Sequence, residues 1–560
     1  MENSQNNFLP LLTKPFIGVW LLLLVGLSAY LSVHGVSDYY YSQDEISDIF
    51  IAKAHDLKQV LDFSLYESHP PVGQVMRHYW LMISDDIWFA RSLALIFGMG
   101  LIPIYYCIGN KLNGSFTGLC TASLVAFGHG FIVQSYVVRN YSMFLFFISL
   151  SFYCYLHWRE NKSSRALLGY LGFAVIACLT HLSAIFTLFA IAAYEAVTLY
   201  IRKSPKNQLL HWIIANGIIG LIFLITNHLW HDVNAPFAFA ALHEALKPDG
   251  KFTYADLLIS GLFYPFIAFS YTSPIPQILY ITAPALTFTA IQDRRFRAFL
   301  VLSAFGLGLG MLLVVTGAYQ FLSSRRNLWI VPFIIPISGW AIGYCGTMLA
   351  QSFPKKLQVY GLPSLLAILI IAGLLSYNRV TRFSEAGYNF GDLSEYNRIS
   401  ENEWNEISDF MKTLDSKSLV VLDRYETFII PGIENPYDLM NKDSLKIWAT
   451  AVMPYYNTNI LFPTSYYGGL GNILHIPSFQ DKLKNADRLV FLNSETFYNT
   501  AKEFINCAAL DKERAITFSN PETARNINYD QAQILIVSKQ VFFDEFVSPS
   551  GKAHNCLIEK

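Results

Sequence analysis

The chain has 560 residues, of which 53% are hydrophobic and only 14% are charged. In soluble domains about a quarter of all residues are charged. This composition therefore excludes an ordinary soluble protein and indicates a membrane protein. The formal net charge is −1, which provides no basic surface for nucleic acid, and we expect no nucleic-acid partner.

The first predicted element is a membrane-spanning helix. No charged residue interrupts the sequence from Pro15 to Ser37, which is long enough for a helix to cross a hydrocarbon core of about 30 Å. The polar loop that follows contains Asp44 and Glu45. Two carboxylates at the water edge of this helix lie within reach of a lipid-borne substrate, so they are the first candidates for catalysis.

Further charge-free runs predict more membrane spans. They cover 92–110, 112–138, 140–158, 166–194, about 207–231, 257–292, 298–324, 327–354 and 357–378. Basic residues separate them at 14, 111, 159–165, 202–206, 294–297 and 355–356. If all these clusters are cytoplasmic, the number of crossings between successive clusters must be even. This reasoning gives about 11 crossings, with the N terminus inside and the C terminus outside.

Two stretches, 166–201 and 257–292, are too long for one membrane span, because a single helix of either length would measure about 54 Å. The first stretch must cross the membrane an even number of times, so we expect a hairpin of two helices that turns near Thr180-His181-Leu182-Ser183. The second run can supply only one crossing. Its four prolines predict a broken or re-entrant first half at the outer face.

This topology places four polar features on one outer face. They are Asp44-Glu45, the loop with His69, Arg139, and Arg325-Arg326. Each alone could be an interfacial residue that extends its charge to water. Ionisable groups at a bilayer are costly and are candidates for function, so their convergence favours a common site.

The order of these motifs resembles a known enzyme superfamily. Along the chain come Asp44-Glu45, His69-Pro70-Pro71, Arg139-Asn140-Tyr141, Leu179-Thr180-His181 and an arginine before a late helix. Over about residues 10–380 the chain is similar to the GT-C glycosyltransferases, and within them to protein O-mannosyltransferases, aminoarabinose transferases and bacterial relatives. The resemblance implies a polyprenyl-phosphate-linked sugar donor in the membrane lipid. It also implies an acceptor hydroxyl, on a protein, lipid A or a glycan, that approaches from outside.

The residue types suit this chemistry. Transfer from a lipid phosphate needs a carboxylate to take the acceptor's proton and cations to stabilise the departing phosphate. Asp44 matches the acidic residue that acts as base in the similar family, and Glu45 would position the acceptor or tune Asp44. Arginine offers a planar fork to phosphate oxygens, which makes Arg139, Arg325 and Arg326 candidates for donor binding. One or two of them could instead pair with loop carboxylates.

The two histidine candidates each allow two interpretations. His69 either shapes its loop or donates to the phosphate. His181 either lines the substrate pocket with Tyr141 or is a hydrogen-bonded histidine at a helix turn. Some GT-C enzymes use a divalent ion and others do not, and we assign neither a metal nor another cofactor.

The remainder of the chain differs in pattern. Short apolar runs at Leu419–Leu422, Leu489–Leu492 and Ile534–Val537 predict buried strands. Helical spacing over 404–414 and 495–505 predicts intervening helices. We therefore expect a transmembrane glycosyltransferase domain at 1–380 and an extracytoplasmic α/β domain with a largely parallel sheet at 381–560.

Other functions are weighed against this interpretation. A lipid-linked-sugar transporter or flippase would show internal repeats and polar residues at mid-bilayer, whereas these ionisable residues cluster at one face. An O-antigen ligase or polymerase fits the early Asp-Glu pair less well, and a non-catalytic receptor is a further alternative. The α/β tail and the family branch favour a bacterial inner membrane.

Overall fold

The computed structural model describes residues 13–34, 43–54, 56–64, 69–84, 86–245, 293–315 and 328–352, further residues between 287 and 374 that include 366–371, and five strands. The helices are α1 (Lys14–His34), α2 (Gln43–Ala52), α3 (Leu57–Ser64), α4 (Val72–Leu81), α5 (Ile87–Asn113), α6 (Ser115–Phe127), α7 (His129–Tyr136), α8 (Tyr141–Asn161), α9 (Ser164–Cys178), α10 (Ala184–Ile201), α11 (Lys206–Ala245), α12 (Arg294–Val315) and α13 (Val331–Ser352). The strands are β1 (Ser418–Leu422), β2 (Asn459–Leu461), β3 (Arg488–Asn493), β4 (Ala515–Thr517) and β5 (Gln533–Ser538).

Several helices are suited to a lipid bilayer. Within the described residues, five helices are long and apolar enough to cross a membrane: Lys14–His34, Trp88–Asn113, Ala184–Ile201, Lys206–Leu229 and Leu328–Leu349. A sixth would be the pair Ser115–Phe127 and Gly130–Tyr136, which is bent by 60°. The expected number of crossings, about 11, stays a prediction because part of the chain lies outside these residues.

The bent pair departs from the expectation of one continuous span over 112–138. Helix α6 ends where Gly128 takes an extended conformation, with φ −69° and ψ 120°. An extended residue interrupts the ladder of i to i−4 hydrogen bonds, so α7 starts in a new direction. A charge-free run contains no information about such a break.

The predicted hairpin over 166–201 is confirmed. Helix α9 ends at Cys178 and α10 begins at Ala184. Between them the His181 N–H donates to the Ala177 carbonyl at 2.9 Å, and the Thr180 hydroxyl donates to the Ile176 carbonyl at 2.7 Å. The turn therefore lies at the four residues that charge parity indicates.

Helices α6 and α13 approach each other closely through small residues. A Cβ added at Gly339 would overlap the Thr121 hydroxyl, and one added at Gly343 would overlap the Thr117 hydroxyl. The Thr121 hydroxyl donates to the Thr117 carbonyl of its own helix at 2.7 Å, so its polar atom is satisfied inside the interface. Small residues at this spacing let membrane helices pack backbone to backbone.

A buried carboxylate connects α10 to α8. The Glu195 side chain is 2% exposed and lies 3.3 Å from Arg159 Nε and 3.4 Å from Lys162 Nζ. The Tyr155 hydroxyl donates to it at 3.0 Å. Both cations belong to the last turn of α8 or follow it, where positive charge is favoured by the helix dipole.

The strands form one mixed sheet in the order β2-β1-β3-β5-β4. Strand β1 pairs in parallel with β2 and β3, whereas β5 pairs antiparallel with β3 and β4. The three apolar runs predicted as strands are β1, β3 and β5. The expectation of a largely parallel sheet is wrong for two of the four strand pairings, those of β5 with β3 and with β4. Sheets of α/β domains often combine parallel strands with an antiparallel one. The predicted helices at 404–414 and 495–505 lie outside the described residues.

The chain divides into two compact units. The first comprises Met1–Ser37, Ser64–Phe383 and Phe390–Asp392, and the second comprises Asp38–Phe63, Ser384–Asn389 and Leu393–Lys560. The predicted boundary after residue 380 and the extracytoplasmic position of the tail stay predictions.

Candidate active site

The His-Pro-Pro motif and the Leu-Thr-His turn are joined through their backbones. Pro71 occupies the N-cap position of α4, where its fixed φ suits the start of a helix. The Val72 N–H at the start of α4 donates to the Leu179 carbonyl at 3.0 Å. Two motifs more than a hundred residues apart in sequence are thereby held side by side in the first unit.

Four predicted site residues meet at this junction, and we call His69, Arg139, Tyr141 and His181 the histidine cluster. The ring centroid of His69 lies 5.0 Å from that of His181 and 5.5 Å from that of Tyr141. The Tyr141 and His181 centroids are 5.7 Å apart. Arg139 Nη2 lies 3.4 Å from His69 Nδ1. The structure thus brings together residues that the sequence only placed on the same membrane face.

The hydrogen bonds around His181 fix its protonation. The Ser183 backbone N–H donates to His181 Nδ1 at 3.2 Å, so this nitrogen carries no proton. His181 lies in the turn between α9 and α10, and burial, with the neighbouring His69 and Arg139, lowers its pKa well below the ordinary 6.5. The ring is therefore neutral at physiological pH with its proton on Nε2, where it can act as a hydrogen-bond donor.

A second buried arginine supports the loop that carries Arg139. Arg77 is 2% exposed and donates to Gln74 Oε1 at 2.8 Å and to Asn140 Oδ1 at 2.9 Å. Sequence reasoning missed this residue. Its signal was a cation six residues beyond the His-Pro-Pro motif, with Gln74 three residues before it on the same helix face.

The two predicted carboxylates lie in the first turn of α2, in the second unit. Glu45 is 4% exposed, and Asp48, one turn further, is completely buried. Sequence reasoning missed Asp48, although its spacing from Glu45 places both on one helix face. The Asp44 side chain lies outside the described residues, as do Arg325 and Arg326. Their placement at the histidine cluster stays a prediction.

No group of three or more His, Cys, Asp or Glu side chains within the described residues could hold a metal ion. The histidine cluster offers the chemistry of a buried cationic site. Arg139 is 6% exposed and carries a permanent positive charge, while the uncharged His181 ring adds a hydrogen-bond donor at Nε2. Such a site suits an anion.

Comparisons with known proteins agree with this arrangement. A family model described as dolichyl-phosphate-mannose-protein mannosyltransferase matches residues 58–227, the segment that contains the whole histidine cluster. None of the curated proteins matches the chain.

Solved structures show the fold. ArnT from Cupriavidus metallidurans in the apo state aligns with a TM-score of 0.55 at 11% identity, covering 94% of this chain and 99% of that one. ArnT from the same organism bound to undecaprenyl phosphate aligns with a TM-score of 0.52 at 12% identity, covering 93% and 98%. The predicted resemblance is confirmed at the level of the fold, and the chain is an integral membrane protein. The predicted number of crossings and the extracytoplasmic position of the tail stay predictions.

Proposed function

We propose that this chain is a membrane glycosyltransferase that transfers a sugar from a polyprenyl-phosphate donor to an acceptor hydroxyl at the extracytoplasmic face. The observation that carries the proposal is the histidine cluster, a buried cationic site inside the segment matched by the mannosyltransferase family model. The undecaprenyl phosphate bound by ArnT, whose fold this chain shares, supports the donor class.

The reaction needs one proton acceptor and one anion-stabilising group. The acceptor O–H would give its proton to Asp44 while its oxygen bonds to the anomeric carbon of the sugar. The bond from that carbon to the phosphate oxygen breaks, and the polyprenyl phosphate leaves with the electron pair. Arg139 would stabilise the charge that develops on this phosphate, because a guanidinium in a water-poor site interacts strongly with a phosphate.

Arg325 and Arg326 precede Leu328, where the described chain resumes, and a role in binding the donor phosphate is proposed for them from the sequence alone. Trp329 is completely buried, and its carbonyl accepts a hydrogen bond from the Thr187 hydroxyl at the start of α10. Phe186 packs edge-on against its ring with centroids 5.4 Å apart. Trp329 thereby holds the start of this segment against the first turn of α10, the helix that follows the turn with His181.

The finer assignments are also proposals. The donor sugar would be a hexose or a pentose, and the acceptor a protein, lipid A or a glycan. The parity of the basic clusters supports a cytoplasmic N terminus and a C-terminal domain on the opposite, periplasmic side. The α/β tail and the resemblance to bacterial transferases support a bacterial inner membrane. Glu45 would position the acceptor, and Tyr141 and His69 would contact the donor.

The test uses the purified full-length protein in liposomes with a panel of radiolabelled polyprenyl-phosphate sugars. We expect cleavage of at least one donor to free polyprenyl phosphate. Arg139→Gln should reduce the rate by about 10²- to 10³-fold, as loss of one anion-stabilising donor does in other enzymes. The matched control is Arg165→Gln, because Arg165 is exposed at the start of α9, and it should retain activity.

Two results would contradict the proposal. One is movement of an intact donor across the bilayer with no cleavage of the sugar–phosphate bond, which identifies a flippase. The other is equal activity of the Arg139→Gln and Arg165→Gln proteins, which would separate the histidine cluster from the reaction.

A further inference from the structure

The first turn of α8 contains buried backbone donors that have no acceptor. Helix α8 runs for 21 residues from Tyr141, and its first intrahelical bond is from the Phe144 N–H to the Asn140 carbonyl at 2.8 Å. In the part of the chain that the structure describes, the N–H groups of Tyr141, Ser142 and Met143 have no acceptor. These residues are 4%, 1% and 2% exposed. Buried N–H groups are normally paired, so among the residues that the structure describes this helix start lacks a partner.

The usual partner is absent because another residue holds it. Asn140 occupies the N-cap position, where asparagine normally accepts from the second or third N–H of the helix. Its backbone is helical, with φ −77° and ψ −3°, and it makes no capping bond. Its Oδ1 accepts from Arg77 Nη2 instead, and α4 is so close that a Cβ at Gly73 would overlap the Asn140 amide. Arg77 therefore keeps the capping oxygen away from α8.

A side-chain donor accompanies these N–H groups. The Ser142 hydroxyl has no partner within the described residues. The Cα–Cβ bonds of a helix tilt toward its N terminus, so the Ser142 side chain leaves the helix toward the end that has the open N–H groups. The other buried serines of α8 differ, since the Ser149 hydroxyl donates to the Tyr105 hydroxyl at 3.1 Å and the Ser151 hydroxyl to the Tyr170 carbonyl at 3.0 Å.

The charge of the region selects the ligand. Arg139, two residues before Tyr141, adds a buried positive charge to the positive end of the helix dipole. Open N–H groups at the positive end of a helix are the conditions under which helix N termini bind phosphate. Tyr141 contacts both histidines of the cluster, so an anion here would lie beside the candidate active site.

We infer that the N terminus of α8 is a phosphate subsite, formed by the N–H groups of Tyr141, Ser142 and Met143 and by the Ser142 hydroxyl. The identification of its ligand as the donor phosphate rests on the proposed function. Arg77 is a positioning residue of this subsite, because it withdraws the Asn140 oxygen that would otherwise occupy it.

The experiment measures binding of undecaprenyl phosphate and of inorganic phosphate to the full-length protein, from thermal stabilisation at increasing ligand concentration. Ser142→Ala should weaken undecaprenyl phosphate binding by about 10- to 100-fold, the effect of one hydrogen bond to a charged group. Ser142→Asp should bind neither probe, because its carboxylate would occupy the helix N terminus. It should unfold at the wild-type temperature or above, since a negative charge is favoured there.

Ser151→Ala is the matched control, being the same change at a buried serine of the same helix whose hydroxyl has a protein partner. It should leave the affinity for both probes unchanged. Unchanged affinity in Ser142→Ala overturns the subsite, and this variant decides the matter if Ser142→Asp does not fold. Binding of inorganic phosphate alone, dependent on Ser142, supports the subsite but contradicts the proposed function. A wild type that binds neither probe contradicts both.

Discussion

Replacing Glu195 with Gln should destabilise the first unit by about 2–3 kcal/mol. Removing one partner of a buried ion pair costs about 3–5 kcal/mol, because the remaining charges stay buried without compensation. Here Arg159 and Lys162 keep 17% and 31% of their side-chain surface exposed, so water offsets part of that loss. The amide also retains an oxygen that can accept from the Tyr155 hydroxyl, which places the expected effect just below that range.

The measurement is the free energy of unfolding in mixed detergent, followed by tryptophan fluorescence as SDS is increased. Glu160→Gln is the matched control. Glu160 also pairs with a lysine, Lys111, but its side chain is 57% exposed, and surface pairs contribute about 0–1 kcal/mol. The difference between the two variants isolates the effect of burial.

A double-mutant cycle tests the mechanism as well as the size. Glu195→Gln and Arg159→Gln should be non-additive by more than about 1 kcal/mol, since each removes the other's partner. If Glu195→Gln costs no more than Glu160→Gln, or if the two changes add, the buried carboxylate does not hold α8 and α10 together.

Three further predictions concern the site and the topology. Asp44→Asn should lower kcat by about 10²- to 10⁴-fold with donor binding intact, whereas Glu45→Gln should mainly raise the apparent KM for the acceptor; near-normal turnover of Asp44→Asn would exclude it as the base. A cysteine at position 62, replacing Asp62, should react with an impermeant thiol reagent added outside, and one replacing Lys203 should not; the reverse pattern would invert the topology. Because the pKa of His181 is lowered in the folded protein, the unfolded chain binds the proton more readily below pH 6.5, so the free energy of unfolding should fall between pH 7 and pH 5. His181→Gln should make that decline shallower, and equal slopes in a pH series of unfolding curves would show that the ring is not held neutral.

The sequence was sufficient for features that depend on local length and charge. The turn between α9 and α10 followed from the length of one run and the parity of the basic clusters around it. The three longer strands followed from apolar runs bounded by polar residues. The strands β2 and β4 have three residues each, too few to show a pattern, and strand direction depends on connections that have no local signature.

The candidate site was predictable only as a set of residue types on one face. His69, Arg139, Tyr141 and His181 were identified from motif order, but their contacts needed the packing of α4 and α8 against the α9–α10 turn. The Arg77 to Asn140 bond joins residues 63 apart in sequence, and nothing near either residue indicates the other. The missing cap of α8 is a consequence of that bond and was hidden for the same reason.

The contact of α6 with α13 has a consequence for how such a fold tolerates sequence change. At this crossing the combined side-chain volume of two facing positions is constrained, and the identity of either residue is not. A chain with glycine on the first helix and threonine on the second would satisfy the same constraint at Thr117 and Gly343 or at Thr121 and Gly339. Single substitutions would clash or leave a gap, whereas exchanged pairs would keep the distance between the helix axes. Related chains can therefore drift apart in sequence, pair by pair, while α6 and α13 stay in register.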